Sequence, residues 1–228
     1  MALPVGAQQT IDVHTHIIIP EYVEVLKAHG AELEETFPLP EWDAERHIAF
    51  MDSVGIRTAI LTMPAPQPYY GDEEESARCI RRVNEVAAEV KREYPGRFLF
   101  CATLPLPDVD AAIREAVYAL DTLGADGVKL ATNSRGQYLG DEALDPLMEV
   151  LNERHALIII HPHRPTPYPE KIIATTPDHI LYGSDYPYLP DAVLKANLQR
   201  LKRTLASDEE LTGYMDMFLW GNAVGLFK

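Results

Sequence analysis

The chain has 228 residues, of which 46% are hydrophobic and 24% charged, with a formal net charge of −15 at pH 7. This is enough apolar material for one sizeable core, so a single domain over residues 1–228 is expected. The acidic balance argues against nucleic acid or an anionic membrane as partner, because both call for basic patches.

The first element is the strand TIDVHTH, Thr10 to His16. Ile11 and Val13 alternate with Asp12, His14 and His16, a period-2 pattern that sets both imidazoles on one face. A short helix opens at Pro20 and ends near Gly30, and residues 31–40 read as an exposed loop. A second helix, with Ile48, Met51 and Val54 on one face, stops at Gly55. The apolar strand IRTAILTMP follows and leads into a loop rich in proline and tyrosine. A long helix from Asp72 to Tyr94 carries acids in its first turn and a stripe of Ile80, Val83, Ala87 and Val90. FLFCATL is the next strand, and a helix capped by Asp108 and closed by Gly124 comes after it. DGVKLAT, the helix EALDPLMEVLNERH and the strand ALIIIHPH complete a regular alternation. Such alternation predicts a parallel sheet with crossover helices, closed as an α/β barrel. ILYGSDYPY is a sixth strand, and two helices, from about Pro190 to Ala206 and Asp208 to Trp220, end the chain.

His14, His16, His161 and Asp185 stand at or just beyond the carboxyl ends of strands, which in a parallel barrel share one face. Three imidazoles and a carboxylate suit one divalent metal ion, Zn²⁺ first and Mn²⁺ second, with a position left for water or substrate. A metal there lowers the pKa of bound water and polarises a carbonyl or carboxylate, and Asp185 is either a ligand or the general base for that water.

Taken together, DVHTH, GVKL, IIIHPH, GSDYPY and the NAVGLF ending resemble the amidohydrolase superfamily, in the branch of the aminocarboxymuconate semialdehyde decarboxylases. The resemblance implies a (β/α)₈ TIM-like barrel and one catalytic metal held by His14, His16 and His161, with Asp185 a further ligand or a water-orienting acid. It further implies hydrolysis or nonoxidative decarboxylation of a small carboxylated or cyclic organic substrate. One departure stands out: only residues 164–184 separate His163 from Asp185, so strands 6 and 7 are missing from the sequence, together with the proton-handling histidine usual on strand 6. A catalytically impaired barrel that binds a metal or small ligand without turnover is therefore the alternative.

Arg135 and Arg164 follow strand ends and are the candidates for gripping a substrate carboxylate, and His163 is either a substrate contact or a loop residue. Lys129 reads as a structural ion pair, and His29, His47 and His155 as surface or capping residues. Tyr69, Tyr70, Tyr186 and Tyr188 either line a pocket or pack loops. Cys79 and Cys101 have no ligand-like spacing and read as free thiols. No apolar run approaches the roughly 18 residues of a membrane span, and the first residues lack the pattern of a signal peptide, so a cytoplasmic location is expected. Barrels of this kind are often homodimers, although no stretch of the sequence marks an interface.

Overall fold

Apolar strands and amphipathic helices take turns along the chain, and three helices begin where the sequence supplies an aspartate. In the computed structural model, which describes residues 10–31, 33–34, 37–161, 181–207 and 216–226, β1 (Thr10–His16) leads to α1 (Pro20–Ala28) and to two short strands, β2 (Leu33–Glu34) and β3 (Phe37–Pro38). Then come α2 (Ala44–Val54), β4 (Ile56–Thr62), α3 (Glu73–Glu93), β5 (Phe98–Thr103) and α4 (Val109–Tyr118). Asp43, Asp72 and Asp108 each accept the backbone N–H three residues on, at 2.7, 2.9 and 3.0 Å. Each such cap is worth about 1 kcal/mol. Next are β6 (Gly127–Ala131), a small hairpin of β7 (Asn133–Ser134) and β8 (Gln137–Tyr138), α5 (Asp145–Glu153) and β9 (Ile158–His161). Lastly α6 spans Asp191–Ser207 and α7 Asn222–Leu226. The expected helix from Asp208 lies mostly outside the described residues.

The sheet runs in the order β1-β4-β5-β6-β9, every pair parallel. Along the other edge of β1 runs residues 181–186. The sequence reads that stretch as a regular strand, but the structure gives it one bridge, Thr15 to Tyr186, and the bonds Val13 N–H to Tyr182 O (2.9 Å), Asp185 N–H to His14 O (2.7 Å) and His16 N–H to Tyr186 O (2.8 Å). The reason is local: Asp185 takes φ of +61°, which breaks the extended backbone.

Side chains divide cleanly between two faces. Ala59 and Leu61 of β4 and Phe98, Phe100 and Ala102 of β5 pack outward with α1, α2 and α3, while Val128 and Leu130 pack outward with α4 and α5. Ile60, Leu99, Cys101 and Ile159 turn inward, where Leu181, Trp220 and Ala223 close the amino-terminal end. The result is a curled half-barrel, and strands 6 and 7 of the eight-stranded plan have no counterpart among the described residues. Ile160, on the outer face of β9, is 56% exposed.

One histidine departs from expectation. His47 is fully buried rather than at the surface, stacked on Tyr186 at 4.3 Å between ring centroids and set edge-on to Phe98. The apolar face of α2 turns toward the sheet and takes His47 with it, because the position lies one turn before Met51. Both cysteines are free and buried, and no helix among the described residues is long and apolar enough to cross a membrane.

Candidate metal centre

A bulge in β1 builds the centre. Asp12 pairs with Ala59 and Thr15 with Leu61, so β1 carries one residue more than β4 over this interval. An extra residue reverses the side-chain alternation. Ile11 and Val13 thereby join the inner cluster, and His14 and His16 also point to the barrel axis, whereas simple alternation sets the two pairs on opposite faces. His161, at the end of β9 across the half-barrel, completes the group. Its ring centroid is 4.9 Å from that of His14 and 5.3 Å from that of His16. One ring nitrogen from each of the three lies within 4.8 Å of the others.

Asp185 joins from the segment beside β1. Its Oδ1 is 3.1 Å from His16 Nε2 and 3.3 Å from His14 Nε2. Burial works to raise its pKa, but the contacts with His14 and His16 outweigh burial and hold the carboxyl well below the usual range. The segment can approach so closely because residue 183 is glycine: a Cβ there would stand 2.4 Å from His14 Cβ. Asp12 supplies the second anchor. Wholly buried, it accepts from Ser184 N–H at 2.8 Å and from His14 N–H at 3.3 Å. Burial pushes its carboxyl up to about 7, with the hydrogen bonds from Ser184 and His14 acting in the opposite sense.

Thr62 decides the state of His16. Its hydroxyl donates to Thr15 O at 3.1 Å, so toward His16 Nδ1, 3.2 Å away, it accepts. Nδ1 then carries the hydrogen and Nε2 presents its lone pair. Burial, the largest influence, lowers the pKa of His16, with the contact to Asp185 acting in the opposite sense. His16 Nε2 and Asp185 Oδ1 stand 3.1 Å apart, and both are able to serve as ligand atoms for a cation placed between them. Three imidazole nitrogens and one carboxylate oxygen are a fitting donor set for a divalent metal. His16 is the floor, its side chain 1% exposed, and His14 and Asp185, at 33% and 51%, face the opening.

The other predicted residues fall differently. Arg135 sits on the rim, donating to Tyr69 O with its guanidinium 5.3 Å from the Tyr69 ring. Arg164 and His163 lie outside the described residues, as does His179. Tyr188 reaches the site, edge-on to His16 at 5.5 Å, whereas Tyr186 is packing, held between His47 and Phe50. His29 bonds to Glu75 at 2.7 Å and stacks on Tyr70. Lys129 is on the inner face, 5% exposed, and its charge acts on His16. Sequence reasoning missed Asp12, Thr62 and Gly183 as supports. Asp12 stood inside the histidine motif and Gly183 inside GSDYPY, but the tertiary approach that gives them work has no local signature.

A parallel sheet curled into a barrel wall, with metal-ligand side chains at the carboxyl ends of its strands, defines the metal-site class of (β/α)₈ barrels. The family model described as Amidohydrolase matches residues 11–169. The chain belongs to the amidohydrolase family. It is 46% identical over 158 residues to the decarboxylase yanB of Aspergillus niger, covering 67% of this chain and 43% of that protein. It is 35% identical over 159 residues to the 6-methylsalicylic acid decarboxylase acuB of Aspergillus aculeatus, covering 68% and 48%. A crystal structure described as an amidohydrolase II shares the fold, with a TM-score of 0.85 at 24% identity over 96% of this chain and 99% of that one. The chain thus spans less than half the length of these two curated relatives.

Proposed function

We propose that this chain performs metal-dependent, nonoxidative decarboxylation of a small hydroxylated aromatic acid. The observation that carries the reading is the convergence of His14, His16, His161 and Asp185, with His16 Nε2 3.1 Å from an Asp185 carboxylate oxygen. Two relatives named as decarboxylases support the reaction class, and the name of one supports an aromatic acid as substrate. Hydrolysis, which the sequence allows equally, has no such support from these two.

The three imidazoles and Asp185 would hold the ion, with Zn²⁺ favoured by the nitrogen-rich donor set and Mn²⁺ second. When bound, the ion supplies positive charge against the negative charge that develops as carbon dioxide leaves. Thr62 keeps His16 in the ligating tautomer. Asp185, held ionised, accepts a proton or hydrogen bond from a substrate hydroxyl at the opening. In the reaction the bond between ring carbon and carboxylate breaks, its electron pair stays on the ring carbon, and a proton replaces the lost group. Arg135 on the rim, with Arg164 and His163, is proposed to draw the anionic substrate in.

The test is a panel of hydroxybenzoates, including 6-methylsalicylate, with Zn²⁺- or Mn²⁺-loaded protein, following carbon dioxide and the phenol product. Release in equal amounts, abolished by chelator and by His161→Ala, is expected. Stoichiometric metal without turnover across the panel would refute the reading in favour of a metal-binding barrel without turnover. The short interval of residues 164–184 between His163 and Asp185 speaks for that second reading.

A further inference from the structure

We propose that the cavity between the start of α2 and the turn before α6 takes an uncharged, apolar ring substituent of the aromatic acid, and so sets which hydroxybenzoates the metal centre accepts. The inference rests on the aromatic-acid reading and names a feature of that substrate beyond its carboxylate and hydroxyl.

The cavity has a volume of about 370 Å³, and Pro40, Tyr186, Pro187, Tyr188, Leu189 and Pro190 line it. That volume falls within the range of small-molecule sites. The cavity adjoins the metal centre through the turn that carries Asp185. Tyr188 N–H donates to Asp185 O at 3.0 Å, and the Tyr188 side chain borders both spaces: it lines the cavity, and its ring is edge-on to His16 at 5.5 Å between centroids. The wall is fixed in advance, because Tyr186 is stacked between His47 at 4.3 Å and Phe50 at 4.7 Å. Asp185 faces the opening, so a substrate hydroxyl on its carboxylate brings the ring against residues 185–188. The next space along that turn is the cavity.

The lining selects the occupant. Prolines, tyrosines and a leucine present mostly carbon to the cavity, and Leu189 is 41% exposed, an apolar side chain that a hydrophobic group would cover. Among the described residues the charged lip is acidic. Glu41 and Asp191 stand on it, and Arg46 pairs with Asp43 at 3.9 Å. A second carboxylate on the ring would meet like charge there, whereas an alkyl group would not. The volume is also far more than a methyl group fills, so the geometry favours a substituent longer than the methyl of 6-methylsalicylate. Burying roughly two further methylene groups corresponds to about tenfold in affinity.

The experiment compares salicylate, 6-methylsalicylate, 6-pentylsalicylate and 3-hydroxyphthalate, the last with a carboxylate in place of the alkyl group, on the metal-loaded protein. Carbon dioxide release gives KM and kcat, and titration calorimetry gives Kd for any acid that binds without turnover. Wild type should favour 6-pentylsalicylate over salicylate at least tenfold, chiefly in KM or Kd, and 3-hydroxyphthalate should be the weakest. Leu189→Trp, which fills the cavity from an exposed position, should cut the preference for 6-pentylsalicylate at least tenfold. Near-ultraviolet circular dichroism and bound metal are compared first. Overturning the cavity assignment takes any one of three results: no preference for 6-pentylsalicylate in wild type, a preference that survives Leu189→Trp, or 3-hydroxyphthalate accepted as well as 6-pentylsalicylate. Carbon dioxide from salicylate or 6-methylsalicylate in those cases leaves the decarboxylase reading standing. The alkyl preference seen in Kd with no carbon dioxide released supports the cavity and refutes the decarboxylase reading. Wild type that neither binds nor turns over any of these acids overturns the aromatic-acid reading and the cavity with it.

Discussion

Protonating His47 should make acid destabilise this protein more than its surface charges alone would. Trp42 Nε1–H donates to His47 Nδ1 at 3.1 Å, so Nε2 carries the hydrogen, and that atom is buried without a partner. Burial, with smaller contributions from Arg97 and His16, lowers the pKa from 6.5 to about 3. The folded protein then keeps His47 neutral between pH 3 and 6.5, while the unfolded chain takes up a proton. Stability from this group is present above 6.5 and falls as the pH drops toward 3. The full shift corresponds to about 5 kcal/mol, and two pH units of it, from 6.5 to 4.5, to about 2.7 kcal/mol. For a chain of this size that is about 5–10 °C in Tm. His47→Phe keeps the stack on Tyr186 and Phe98 and removes the titration. Its only fixed cost is the Trp42 hydrogen bond, which does not vary over this pH range. Calorimetric melts of both proteins in chelator from pH 7 to 4.5 should diverge by that amount, the variant being less sensitive. Parallel curves of Tm against pH would refute the assignment of His47 as a buried neutral imidazole.

The metal centre yields further tests. Thr62→Val removes the acceptor for His16 Nδ1–H and should weaken divalent-metal affinity about 10–100-fold with unchanged far-ultraviolet circular dichroism; affinity equal to wild type would remove Thr62 from the site. Gly183→Ala forces a Cβ to within 2.4 Å of His14 Cβ and should cost about 1–3 kcal/mol of stability while displacing Asp185, read by denaturant melts together with metal content. His16→Ala should abolish stoichiometric metal by elemental analysis. In wild type, chelation should lower Tm, and addition of Zn²⁺ or Mn²⁺ should restore it in a concentration-dependent way.

What could be read in advance followed from local chemistry. Asp43, Asp72 and Asp108 announce helix starts through a bond three residues away, and Gly55 and Gly124 announce ends through their left-handed backbone. His14, His16, His161 and Asp185 were legible because each stands at or near the carboxyl end of a strand-like stretch, and a parallel barrel gathers those ends whatever lies between them. The bulge of β1 was hidden, since an extra residue is defined only against the register of β4. For the same reason His47 looked like a surface histidine: an imidazole on a helix is polar by composition, and the rings of Phe98 and Tyr186, from farther along the chain, make its place apolar.

The pairing of residues 181–186 with β1 also has a consequence for the order of events during synthesis. His16 and Asp185 meet across a separation of 169 positions, whereas His16 and Thr62 of β4 are only 46 apart, so β1 and β4 can pair while later segments are still being made. Contacts this distant are slow to form because the intervening chain must first be ordered. The histidines of β1 therefore leave the ribosome long before their partners exist. A metal ion held tightly by all four side chains thus reports that both halves of the fold have met, and its uptake can serve as a clock for the last step of folding.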